Sequence, residues 1–144
     1  MYKRQEYKLA EQYHLQGNNC IESVLKTCND TMNLQLPDVA IRMASGMGGG
    51  IGRSGCVCGA LSGACLVIGA LVGRLIPDEK PLPEVYKYTS EFHDRFKEHF
   101  VATCCRALNT LSFGTPEYRK HCIKITATAA DMVSDFVAEK GLLK

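Results

Sequence analysis

The stretch GGGIGRSGCVCGALSGACLVIGALVGR, residues 48–74, opens on three glycines and carries Cys56, Cys58 and Cys65. From Ser54 to Gly73 it holds no charged side chain. Three readings compete for it. Gly50, Gly52 and Gly55 match G-x-G-x-x-G, but that fingerprint needs a preceding strand and a βαβ unit around it. The chain here offers an amphipathic helix and no strand signal, and no Walker lysine is present. A membrane span is the second reading. Twenty uncharged residues approach the length a bilayer core requires. The pairs Gly59/Gly63 and Gly69/Gly73 have the small-xxx-small spacing of close helix contacts. Yet the flanking helices are amphipathic, and a helix apolar all round is equally at home in the centre of a water-surrounded bundle. The third reading treats the glycines as clearance. Glycine permits positive φ and close backbone approach. A glycine loop that runs into a helix start offers free N–H groups and the positive end of the helix dipole. The anions this sequence can place there are thiolates, because Cys56 and Cys58 sit at that junction.

Working outward, the chain reads as all-α: a single-domain helical bundle, residues 1–144, of about five to six helices around this central glycine-rich apolar helix. Leu9, Ala10 and Tyr13 give the first helix an apolar stripe that ends at Gly17. Asn19 with Glu22 three residues on predicts a capping box, which puts Cys20 in a first turn with Val24 and Cys28 on the same face. Pro37 opens a short helix through Met43, and the central helix runs from Cys58 to about Leu75. Pro77, Pro81 and Pro83 mark a loop, after which Val85, Tyr88, Phe92, Phe96 and Phe100 recur at helical spacing. Thr103 is placed to cap a short turn that carries Cys104 and Cys105. Thr115-Pro116 starts a last helix, with Cys122, Ile125, Ala129, Met132, Val133 and Phe136 on one face.

Composition narrows the function classes. Hydrophobic residues make up 46% and charged residues 22%, with 17 basic and 15 acidic side chains for a net charge of +2. That balance gives no electrostatic case for nucleic acid. The N-terminal residues mix charges and lack the unbroken apolar core of a signal peptide, so a cytoplasmic location without a membrane anchor is expected. Eight cysteines in a reducing compartment point to metal or redox chemistry rather than a disulfide framework. There is no C-x-x-C pair and no zinc-ribbon spacing, so any site must be assembled over long range. Cys20, Cys58 and Cys105 fall near predicted helix starts, and Cys122 points inward. Four such thiols could meet in a bundle core. Cys28, Cys65 and Cys104 read as buried small hydrophobes, with Cys65 sharing the face of Cys58 as an auxiliary thiol. Cys56 stays open. His14, His93 and His99 lie on charged faces and are expected to be solvated, while His121 does not face its neighbour Cys122.

With these residues in view, the chain resembles the redox-active family named for a C…GCAxxG…C…C cysteine pattern. The match is carried by GNNCIESVL (residues 17–25), by residues 48–73, by CRAL (residues 105–108) and by the helix around Cys122. The family cysteines fall on Cys20, Cys58, Cys105 and Cys122, while Cys28, Cys56, Cys65 and Cys104 add to the pattern. The resemblance implies redox activity. A related domain in a multihaem cytochrome type holds an iron–sulfur cluster on its cysteines; this chain has no C-x-x-C-H for covalent haem.

The first expectation is therefore a [2Fe–2S] cluster on Cys20, Cys58, Cys105 and Cys122, serving electron transfer to a redox partner protein not named by the sequence, with zinc as the variant metal. The second is a thiol–disulfide oxidoreductase in which Cys58 attacks and Cys20, Cys105 or Cys122 resolves, so that Cys58 and Cys20 are its redox thiols. The third is a helical interaction module with structural buried cysteines. The close-packing glycines also admit a homodimer.

Overall fold

The computed structural model describes residues 5–143, and its framework is seven right-handed helices. α1, Gln5–Leu15, leads through a turn to Asn19, whose side chain accepts from the backbone N–H of Glu22 while Glu22 accepts from the backbone N–H of Asn19, both at 2.9 Å. This capping box satisfies two of the orphan donors at the start of α2, Cys20–Met32, and contributes on the order of 1 kcal/mol. α3, Asp38–Ala44, follows Pro37 and is short. After the glycine loop comes α4, Gly59–Val72, with Cys58 as its N-cap. Pro81 precedes α5, Leu82–Phe100. A single turn, α6 (Cys105–Leu108), leads to α7, Pro116–Glu139, where the Thr115 hydroxyl accepts from Tyr118 N–H and proline occupies the first turn. Five of these helices run eleven residues or longer, and α3 makes a sixth.

α4 is the central element. It packs on α2, α5 and α7, and α1 lies across α2 and α7. The crossing of α4 with α2 explains one glycine pair. A Cβ on Gly63 would come within 3.3 Å of Ile21 and Val24, and one on Gly59 would collide with the sulfur of Cys20. The helices approach this closely because those side chains are missing. Phe92 of α5 meets Phe136 of α7 edge to face, with ring centroids 5.6 Å apart, and both rings are fully buried. Among the described residues no helix is long and apolar enough to cross a membrane.

Some local expectations shift. α1 buries Tyr7, Ala10 and His14, with Leu9 and Tyr13 only half-buried. Its inner face is therefore rotated from the predicted stripe, and His14 is not solvated. The short helix after α5 is capped by Cys104 rather than Thr103, with no side-chain cap bond. The carbonyl of Thr103 is instead taken by the N–H of Cys58, at 2.8 Å. There is also a fragment of β pairing, an antiparallel bridge between Val57 and Cys104, which the sequence pattern does not reveal.

Candidate redox centre

The glycine loop has a conformation that few sequences tolerate. Residues 49–53 carry φ of +68°, +70°, +68°, +60° and +68° in succession. With Gly52 N–H donating to Gly48 carbonyl at 2.9 Å, the turn Gly48–Ile51 is wound left-handed. Glycine enters this region freely, whereas Ile51 and Arg53 each carry a cost of about 1–2 kcal/mol. The turn is pinned from outside. Gly55 and Cys56 N–H groups reach back to Gly49 and Gly50 carbonyls. Arg106 holds the carbonyls of Ser54 and Gly55 with its guanidinium. Clearance decides the rest: a Cβ on Gly50 would come within 2.8 Å of Cys105 Cβ and Cys56 backbone, and one on Gly48 would run into Asn19.

Beside this loop Cys20 and Cys122, two of the four expected cysteines, line one recess. Cys20 sits at the first position of α2, Cys58 caps α4, Cys105 opens α6, and Cys122 lies in the second turn of α7. Cys20 and Cys122 are the most strongly interacting of the four thiols, and Cys58 and Cys105 lie within electrostatic range of Cys122. Interaction with Cys122 draws the Cys20 thiol down to about 6, against the opposing effect of burial, with further help from the N–H groups of Gly49, Ile21 and Cys20 itself. The left-handed turn thus aims a backbone donor at a sulfur. Cys122 moves strongly upward, first because of Cys20 and then because it is buried.

Cys58 behaves differently from the expectation of an activated helix-start thiol. Burial pushes it up to about 12, the neighbouring charge on Cys20 adds to that, and the N–H groups of Ala60 and Leu61 do not offset them. Cys105 makes a 3.7 Å contact with the hydroxyl of Tyr118. Tyr118 is pushed up by burial, by this contact and by the neighbouring sulfurs. Sequence reading missed Tyr118, although it stands four residues before Cys122 on the same helical face, a spacing that places the two side by side. It also missed the Gly49 donor and the tie from Ser45, whose hydroxyl donates to Glu22 at 2.8 Å and whose carbonyl accepts from Asn19 at 2.9 Å.

The remaining thiols stand apart. Cys28 is fully buried, and desolvation raises it to about 12. Cys65 is half-buried and raised to about 11 by the same cause. Cys104 is exposed rather than buried, and so is Cys56; both flank Val57 at the bridge to residue 104. Among the described residues no three His, Cys, Asp or Glu side chains are arranged to hold one metal ion.

The pattern of cysteines and glycines matches the family described as "Putative redox-active protein (C_GCAxxG_C_C)" over residues 18–136. The chain belongs to this family. The C_GCAxxG_C_C segment thus covers α2 through most of α7 and takes in all four expected cysteines. An uncharacterized protein of Archaeoglobus fulgidus is 26% identical over 122 residues, covering 79% of this chain and 81% of that protein. No solved structure matches.

Proposed function

We propose that this C_GCAxxG_C_C protein is a thiol–disulfide redox protein whose working couple is Cys20 and Cys122. What supports this reading is that Cys20 and Cys122, on α2 and α7, line one recess, and that the Cys20 thiol is lowered, chiefly by Cys122 and further by backbone N–H groups. Cys20 is the attacking thiolate, and Cys122 is the resolving thiol that holds a proton until Cys20 is spent. Cys58, the attacking thiol expected from its place at a helix start, is too strongly desolvated for that role. In one half-reaction the Cys20 thiolate and the Cys122 thiol lose one proton and two electrons and gain an S–S bond, while a partner disulfide takes the two electrons and, with that proton and one from water, becomes two thiols. The test is peptide mapping by mass spectrometry after mild oxidation of the intact protein. A Cys20–Cys122 disulfide is the expected product; thiols that remain unpaired, or pair elsewhere, overturn the reading.

A second reading has its own support. Cys58 and Cys105 lie within electrostatic range of Cys122, which supports a reading in which the cysteines of four segments act together. A [2Fe–2S] centre takes four cysteines, two to each iron, and does not ask three ligands to close on one ion. Cys20, Cys58, Cys105 and Cys122 would hold it, and it would supply one-electron transfer. Zinc has weaker support, because a structural site closes four ligands on a single ion. Oxygen-free purification with iron and sulfide analysis and a visible spectrum decides between the readings: stoichiometric iron and sulfide favour the cluster, and colourless protein with a reactive Cys20 favours the thiol couple.

A further inference from the structure

A recess of about 380 Å³ opens onto the sulfurs of Cys20 and Cys122. One wall is the left-handed turn with the preceding Ser45 and Gly46; the other is the start of α7 with Phe113 and Tyr118. That volume is in the range of small-molecule sites and is small for a folded partner. Its described lining contains one cation, Arg53, and no carboxylate. The Arg53 guanidinium lies 4.3 Å from the centre of the Phe113 ring, and among the described residues no carboxylate pairs with it. It is held over the rim by a backbone conformation (φ +68°) that a non-glycine residue adopts only at a cost. The lining of the recess therefore brings together one cation, two aromatic rings and a pair of cysteines.

We propose that this recess is the substrate site for a low-molecular-weight disulfide bearing a carboxylate, with the carboxylate on Arg53 and the S–S bond directed to Cys20. The inference rests on the thiol-exchange reading above and names its substrate class. The Cys20 thiolate attacks the nearer sulfur; a mixed disulfide forms and the far half leaves as a thiolate that takes a proton from water. Cys122, having lost its proton to solvent, attacks the Cys20 sulfur, and the second half leaves as a thiolate that takes a proton from water. The substrate gains two electrons, the couple loses two, and a dithiol donor returns the couple to the reduced state.

The experiment uses the full chain and three disulfides of similar size: dithiodiglycolate, with two carboxylates, neutral 2-hydroxyethyl disulfide, and cystamine, with two ammonium groups. The readout is the rate of Cys20–Cys122 oxidation, followed by mass spectrometry. Dithiodiglycolate is expected to react about tenfold faster than the neutral compound, and cystamine more slowly. In Arg53→Gln the ratio of anionic to cationic rates falls toward one, and in Arg53→Lys much of it is kept. Lys87→Gln, an equal change of net charge on α5 away from the recess, keeps the wild-type ratio. A ratio near one in the wild type, or a ratio untouched by Arg53→Gln in a variant with wild-type circular dichroism, overturns the recess as an anion site while leaving thiol exchange standing. If none of the three oxidises Cys20, the thiol-exchange reading falls and this inference with it.

Discussion

Cys20 and Cys122 line one recess although they stand on the second and the last helices of the chain, and their thiols shift in opposite directions, Cys20 down and Cys122 up. The two groups therefore titrate as a pair: stabilising the negative charge on Cys20 is what raises Cys122. Removal of the donor should undo the effect. In wild-type protein, iodoacetamide labelling of Cys20 is expected to rise through a midpoint near pH 6. In Cys122→Ala the midpoint moves upward, toward the ordinary thiol range, because the largest stabilising contact is gone. An unchanged midpoint, read by mass spectrometry across a pH series, would show that the contact does not set the reactivity.

Two glycines of α4 should respond to alanine with opposite signs. Gly59→Ala drives a methyl group into the Cys20 sulfur and is expected to destabilise by about 1–3 kcal/mol while separating Cys20 from Cys122. Gly69 has nothing within 4 Å of where a Cβ would stand, so Gly69→Ala in the helix interior should stabilise by about 0.5–1 kcal/mol. Urea unfolding of both variants checks the pair, and thiol labelling checks the local effect of the first.

The left-handed turn makes a prediction at Ile51. This β-branched residue sits at φ +68° and is 48% exposed, so little burial offsets its strain. Ile51→Gly is expected to raise stability by about 1 kcal/mol, by relief of strain larger than the entropy glycine adds to the unfolded chain. A loss of stability in urea unfolding would mean that packing of the isoleucine outweighs the backbone term.

His14 supplies a pH dependence away from the thiols. It is buried between α1 and its neighbours, neither ring nitrogen has a protein partner, and burial lowers its pKa from 6.5. Below pH 6.5 the unfolded chain therefore binds a proton that the folded chain resists, so stability falls as the pH drops from 6.5 toward the lowered native value. Above that window the contribution is constant. Unfolding free energies at pH 7.5 and pH 5.5 should differ in wild type, and the difference should shrink in His14→Leu. An equal difference in both proteins would assign the acid sensitivity to other groups.

Much of this architecture is written locally. The Asn19/Glu22 box, the Thr115-Pro116 start and the apolar spacing of Phe92 and Phe96 are signals contained within a few residues, and each matches its element. The choice of Cys20, Cys58, Cys105 and Cys122 came from their places at helix starts and on an inner face, and of these Cys20 and Cys122 line one recess. Chirality of the glycine turn was not legible: five successive positive φ values include Ile51 and Arg53, and the tight fit of Gly50 against Cys105 and of Gly48 against Asn19 is made by residues far off in the sequence. Nor could the sequence assign the charge. Cys20 and Cys58 both begin helices, and by local rules both should be acidified. Their burial is similar, at 5% and 6% exposure, yet one is lowered and the other raised. The sequence by itself determined the helices and the caps at Asn19 and Thr115. Only the tertiary structure decided which sulfur becomes the anion, because that depends on a proton donor from another helix, and a donor across the core is set by packing rather than by neighbours in sequence.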